Sequence, residues 1–514
     1  MRSRSRRFVL SLLLLTFFLL TVNSFAIPAF SRQYGTSCTT CHIDFPKLND
    51  FGKAFKDAGF KFPKDDESFL KIPPVMLGAP AQKDLWPHTV FPGTIPGLPP
   101  IGLRFNTFFQ YTPASANNYN LAGPAAGPYV PRTDFEPGFF SIFTAGNFGS
   151  DIAFWVDDDL SVSGANANGG LGDGYLKFVN IGRFLKLPTD SLSLRVGQFE
   201  LDLPFTQARS INITPYDIYT EANMGSSQQN VNNVFAIQDA AQGIELSGGH
   251  QYGGYHYSLS IVNQNTTGTS STAPNVSSPA GFFSDSNYKD IYARFAYRFN
   301  LEKDLASRHE IQAAGATGPR DHTYLTLGTF YYEGRSAQHF TGLNAADNTT
   351  LLTVREPFYR VGGDFSFNYR TFNVYGLYLY GHDNDVLCQS ATGSVVPCTS
   401  TPASLIPGTA AKFNGGFIQA DYLVLPWIMT ILRYDRVQST ADFLNQAGSA
   451  NYYSPVGSTR NRVTPGVQFL IHANIKASFE YSIRPQQALA YDSNGRALNP
   501  LRTNTTAGAL EFVY

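Results

Sequence analysis

The residues best suited to chemistry stand near the start of the 514-residue chain, in Cys38-Thr39-Thr40-Cys41-His42. Two thiols three residues apart, followed at once by an imidazole, can add to both vinyl groups of a haem while the histidine ligates its iron from one face. The same letters serve half of a zinc site or a redox dithiol, but a zinc site needs a second ligand pair. The other two cysteines, Cys388 and Cys398, lie far along the chain with a short spacing of their own. The reading is one covalently bound haem c, attached at Cys38 and Cys41, with His42 as iron ligand.

Such a site calls for export. Arg2, Arg4, Arg6 and Arg7 form a basic start, Phe8 to Val22 is an apolar run of 15 residues, and Ser24-Phe25-Ala26 offers small residues for cleavage. Residues 1–26 therefore read as a secretory signal peptide, the run being shorter than the roughly 20 residues that span a bilayer as a helix. Disulfides persist outside the cytoplasm, so Cys388 and Cys398 are expected to bridge within one loop.

From Ile43 to Gly59 the pattern predicts a helix. Leu48, Phe51, Phe55 and Ala58 recur at helical spacing, Asp44 and Pro46 suit a start, and Gly59 suits a stop. Its apolar face would pack on the haem edge. Lys47, Lys53, Lys56, Lys61 and Lys64 surround it, either as a solvated face or as a dock for an acidic electron-transfer partner. Residues 27–72 read as a small α-helical cytochrome segment and residues 73–100, dense in proline, as an extended linker. Met76 and His88 fall in that linker and are the candidates for the distal iron ligand; a methionine would raise the potential relative to a second histidine. The other outcome is an open or water-ligated sixth position, or a ligand elsewhere.

The run Cys38-Thr39-Thr40-Cys41-His42-Ile43-Asp44-Phe45-Pro46-Lys47-Leu48-Asn49-Asp50-Phe51-Gly52-Lys53-Ala54-Phe55-Lys56 resembles the N-terminal segment of the fused monohaem cytochrome–porins of the bacterial outer membrane. The best-known members of that group oxidise extracellular ferrous iron. The resemblance implies haem attachment at Cys38 and Cys41 and proximal ligation by His42; it carries no iron-site motif.

The mature chain keeps 34 basic against 39 acidic residues once the leader's four arginines are removed, so no basic surplus points to nucleic acid. Charged residues are 15% and aromatics 14%, with 45 glycines and 28 tyrosines. That profile suits an aromatic, strand-rich protein better than a soluble enzyme. After Pro100, segments of ten to fourteen residues alternate apolar and polar side chains. In Tyr359 to Tyr369 the odd positions carry Tyr359, Val361, Phe365, Phe367 and Tyr369, and the even ones Arg360, Asp364, Ser366 and Asn368. Ile475 to Arg484 repeats the pattern with Phe479, Tyr481 and Ile483 against Lys476, Ser478, Glu480 and Ser482.

Strands are expected near 101–112, 137–147, 150–162, 172–183, 190–201, 239–248, 253–263, 287–298, 322–334, 355–369, 372–383, 412–424, 426–438, 458–471, 474–484 and 505–514. Long and tight links alternate between them, the link 299–321 being the exception. This predicts a mainly β fold, an antiparallel outer-membrane β-barrel of about 16 strands over residues 101–514, with long loops such as 202–238 outside and tight turns in the periplasm. The haem segment then lies on the periplasmic side or in the barrel lumen. The terminal strand carries Leu510, Phe512 and Tyr514 on one face, which resembles an outer-membrane assembly signal. His382, Asp383 and Asp385, with Asp157, Asp158 and Asp159, are expected to approach one outer rim where divalent cations would collect.

The functional expectation is electron transfer across the outer membrane, between an extracellular redox substrate such as Fe(II) and a periplasmic cytochrome. The protein would then be an electron-transfer protein acting as an Fe(II):cytochrome oxidoreductase. The alternative is a passive or substrate-selective porin whose haem-bearing segment is a plug or sensor.

Overall fold

Alternating side chains fix what the barrel strands can do. A strand whose odd residues are apolar and even residues charged must place lipid on one side and polar groups on the other, and only closure satisfies its edges. The computed structural model shows that closed form. It describes residues 29–62, 66–86, 94–97, 100–115, 130–149, 151–160, 170–206, 209–220, 237, 240–263, 288–301, 323–341, 351–384, 386–396, 404–408, 410–439, 459–484, 488–491, 497–500 and 504–514.

Sixteen antiparallel strands make one ring. In chain order they are β1 (Ile101–Ser115), β2 (Val130–Phe148), β3 (Ile152–Leu160), β4 (Gly170–Phe178), β5 (Ser193–Glu200), β6 (Ala240–Gly249), β7 (Gly254–Asn263) and β8 (Lys289–Asn300). The ring continues through β9 (Tyr324–Thr341), β10 (Leu351–Tyr369), β11 (Phe372–Asp383), β12 (Ala411–Leu425), β13 (Ile428–Ser439), β14 (Thr459–His472), β15 (Ile475–Ser482) and β16 (Thr505–Val513). Each strand pairs with its chain neighbours, and β16 closes on β1, where the Tyr514 and Leu103 backbones exchange two 2.8 Å hydrogen bonds. All sixteen expected strands are present; β2 and β9 extend furthest beyond their expected ends, by about seven residues each.

The two faces sort as the alternation demands. Phe295, Val361, Tyr378, Tyr422, Leu432 and Phe479 point outward and are exposed, as a hydrocarbon-facing belt requires. Arg294, Arg360, Asp364, Arg433, Arg462 and Glu480 point inward and are buried. They are paired: Arg294 makes two hydrogen bonds to Asp364 at 2.6 and 3.0 Å, and Arg462 meets Asp217 and Asp435 at 3.0 Å each. No helix of the described residues is long and apolar enough to cross a membrane.

Among the described residues, two segments enter the lumen. The first is residues 29–62, with helices α1 (Ala29–Tyr34) and α2 (Asp50–Asp57). The second is the segment after β5, residues 201–206 and 209–220, which ends in the short helix α3 (Asp217–Thr220). It was expected to run outside. Instead it turns inward and crosses to the opposite wall, where α3 lies against β12 and β13. Tyr216 stacks on Phe417 of β12 with ring centroids 3.8 Å apart, and the Thr214 amide donates to Glu480 of β15. Leu201, Leu203, Ile211, Tyr216 and Ile218 are buried there.

The predicted helix over 43–59 is corrected. His42–Asp44 and Lys47–Leu48 form a small antiparallel hairpin, with a cis Phe45–Pro46 peptide at its tip, and only Asp50–Asp57 is helical. The reason is local: a residue before proline is pushed out of the α region, so Phe45 cannot continue a helix. Asn49 is the true N-cap, its side chain accepting from the Gly52 amide at 2.8 Å.

Candidate functional site

Cys38–Thr40 forms a single 3-10 turn, closed by a 3.1 Å bond from the Cys41 amide to the Cys38 carbonyl. Residues three apart eclipse in such a turn, so the two thiols share a side. Both are free and partly exposed. Asn49 holds the turn from behind: its amide nitrogen donates to Thr39 and Thr40 carbonyls at 3.2 and 2.9 Å, and its backbone amide to Cys41 at 2.9 Å. The first turn of α2 then presses so close that a methyl group added at Gly52 would overlap the Cys41 carbonyl.

Burial sets the protonation of the site. It pushes the Cys41 thiol up to about 12, helped by the neighbouring Cys38, and raises Cys38 as well. Thiols of that kind carry little thiolate, which disfavours a redox dithiol. Burial also holds the His42 imidazole down to about 4, so it is neutral at ordinary pH and available as a ligand. Its Nδ1 is buried with no hydrogen-bond partner. A neutral imidazole with an unsatisfied nitrogen, beside two free thiols on one side of a turn, fits a covalently held haem. Among the described residues no cluster of three or more His, Cys, Asp or Glu stands ready to hold a bare metal ion.

The site is docked on the inner wall at the end of the barrel where the tight turns lie. Arg298 of β8 grips Asp50 with two 2.7 Å bonds, and both side chains are nearly inaccessible. Lys47 reaches Asp421 of β12 at 2.8 Å and Asn373 of β11 at 3.0 Å. Lys476 of β15 donates to the Phe45 carbonyl at 2.5 Å, and Lys177 of β4 to that of Asp57 at 3.3 Å. Beneath these bonds Tyr34, Phe55 and Phe60 pack on Ala145, Ala153 and Val179. Each aromatic buried this way contributes roughly 1.5–3 kcal/mol. Ile43 packs against a second apolar cluster formed by Ile211 of the inserted loop with Leu423, Met429 and Ile431.

These contacts correct the lysine reading. Lys47 is spent on the wall, Lys53 lies over the Tyr324 ring at 5.7 Å, and Lys56 faces Arg195, Glu200 and Arg209 inside the barrel. Lys47, Lys53 and Lys56 are therefore turned to the barrel wall rather than to a solvated face or an acidic partner; Lys64 lies outside the described residues. Met76 sits half-exposed on a two-residue strand paired with Thr94–Ile95, while His88 lies outside the described residues, as does the signal segment 1–26.

The expected cation rim does not assemble. β3, which carries Asp157, and β11, which carries His382 and Asp383, stand eight strands apart in a ring of sixteen, on opposite walls. Asp383 turns inward to pair with Arg360, and His382 stacks on Tyr359 at 5.2 Å on the other face. Asp157 accepts from Trp155 at 2.6 Å and from the Asp173 amide at 2.9 Å. Asp385 and Cys398 lie outside the described residues, as does the link 302–322.

No protein-family profile matches the sequence, and none of the curated proteins does. Among solved structures, the chain is similar to an anion-selective porin from Comamonas acidovorans at 11% identity and TM-score 0.45, over 80% of this chain and 98% of that one. It is similar to OprB of Pseudomonas putida at 10% identity and TM-score 0.42, over 80% and 94%. OmpT of Vibrio cholerae gives 8% identity and TM-score 0.41, over 80% and 97%.

Proposed function

We propose that this chain is an outer-membrane protein that moves electrons between the two sides of its barrel, using one haem c attached at Cys38 and Cys41 and ligated by His42. The observation that carries this reading is the docking of the Cys-X-X-Cys-His turn inside a closed, membrane-facing barrel by the buried Asp50–Arg298 pair. A haem held there would supply one-electron chemistry. The residues around it do the rest: Asn49 and Gly52 fix the turn, Arg298 and Lys476 fix its place, and the barrel wall insulates it from lipid. Met76 as distal ligand, a periplasmic cytochrome as one partner and extracellular Fe(II) as the other belong to this proposal.

A second reading, a substrate-selective porin with a fixed plug, is favoured by the inward charged wall, which lipid would not tolerate and solutes would use. Purified outer-membrane protein decides between them. Under the first reading a haem-stained gel and a visible spectrum give one covalent chromophore per chain, absent in Cys41→Ser. An acceptor enclosed in vesicles is then reduced by an impermeant donor outside. A colourless mature chain that passes small solutes would overturn it in favour of the porin.

A further inference from the structure

A cavity of about 60 Å3 lies where three separate parts of the chain meet. The plug contributes Lys56, Asp57 and Phe60, the inserted loop Asp202 and Arg209, and the wall strands β5 to β7 Arg195, Glu245 and His256. That volume holds a few waters or one small oxyanion.

The carboxylates around it are engaged. Asp57 accepts from the Gln251 amide at 3.4 Å, Asp202 pairs with His256 Nε2 at 2.8 Å, and Glu245 takes Arg195 at 2.5 Å and Ser260 at 3.3 Å. Asp190 faces His250 at 4.0 Å, and Glu200 holds Arg209 at 2.9 Å. The nitrogens are not all matched. Arg195 is more than nine-tenths buried and its Nε has no partner; His256 Nδ1 is likewise buried and unpartnered. Lys56 Nζ makes no hydrogen bond or ion pair among the described residues. Repulsion from Arg209, with burial and Arg195 adding to it, pushes Lys56 down to about 8 despite Glu200 and Asp173 nearby. An unpaired buried donor costs about 1–3 kcal/mol. Lys56 Nζ and Arg195 Nε are donors, and His256 Nδ1 becomes one when the ring is cationic, the form that the Asp202 carboxylate favours; one ligand rich in acceptor oxygens meets all three.

We infer that this cavity is a binding site for a small inorganic oxyanion of the phosphate or sulfate class, held by Lys56, Arg195 and His256. Seated there, the ion bridges plug and wall. The inference is independent of whether a haem is attached at Cys38 and Cys41.

Equilibrium dialysis of the full chain in detergent against radiolabelled inorganic phosphate, at constant ionic strength set with chloride, tests it. The expected result is one saturable phosphate per chain, displaced by sulfate and not by added chloride. Lys56→Met should weaken binding about tenfold or more, the loss of one charge-assisted bond, while Lys56→Arg should restore most of it. Circular dichroism checks that each variant keeps its strands; if Lys56→Met does not fold, Arg195→Lys, which keeps the charge and removes Nε, takes its place. Absence of saturable phosphate, or phosphate binding that a folded Lys56→Met or Arg195→Lys leaves unchanged, would overturn the assignment.

Discussion

Replacing Arg298 with glutamine removes the cation that holds Asp50, and the structure says what that costs. The pair is bidentate at 2.7 Å on both arms, with side-chain exposures of 2% for Arg298 and 6% for Asp50. Lys53 also faces Asp50, at 3.8 Å. Removing one partner of a buried pair costs about 3–5 kcal/mol, because the remaining charge stays desolvated. At 1.4 kcal/mol per tenfold, the plug's docking equilibrium should fall by about 100- to 4,000-fold. Trp155 reports the event, since Phe60 of the plug lies 5.6 Å from its ring and leaves when the plug does. Arg298→Gln should therefore shift Trp155 emission in a background with Trp86 and Trp427 replaced by phenylalanine, and should open the 29–62 segment to protease. Asp50→Asn should do the same, and the double variant should cost clearly less than the sum of the two. Strict additivity, or unchanged emission in both single variants, would refute the claim that this pair locks the plug.

Three further outcomes follow from the geometry. Gly52→Ala should disrupt the Cys38–His42 turn, since the new methyl overlaps the Cys41 carbonyl; covalent haem yield per chain should drop sharply, and a yield equal to the parent's would count against the close approach. Asn49→Ala removes a cap and two bonds to the turn and should lower thermal stability by about 1–2 kcal/mol, read by calorimetry of the detergent-solubilised chain. The Asp202 carboxyl feels burial, which would raise it, but His256 and Arg294 outweigh burial and hold it well below the usual range. Its stabilisation is thus complete above the unfolded value near 4 and drains away as pH falls below it toward the folded one. Asp202→Asn should flatten the acid limb of a stability–pH curve, and an unaltered limb would show that the inserted loop does not depend on this carboxylate.

The barrel was legible because a strand between lipid and a polar lumen must alternate, and nothing else in the chain alternates for so long. Tyr359–Tyr369 and Ile475–Arg484 showed their faces directly, and both sort in the structure as the letters do. The inserted loop was not legible. Residues 201–220 have no period, and the groups that hold them, Gln419, Arg433, Arg462 and Glu480, look in sequence like any lumen-facing residue. The lysines misled for the same reason: a cation near a helix looks identical whether it meets water or Asp421. The helix start was readable and was missed, because Pro46 forbids a helix through Phe45 and Asn49-Asp50 is a common opening. The Cys-X-X-Cys-His turn was the plainest signal of all, yet nothing in it told that Arg298, some 250 residues on, would hold it in place.

Closing a ring brings together strands at the two ends of some four hundred residues, an ordering cost on the order of 5 kcal/mol in chain entropy. Arg32 of α1 stands at that junction, donating to the Ile101 carbonyl at 2.6 Å and lying 5.5 Å from the centre of the Tyr514 ring. The plug thus rivets the barrel's seam as well as filling its mouth. Tension applied to the N-terminal segment would reach Arg32, and through it the β1–β16 joint, before it loads the Asp50–Arg298 pair.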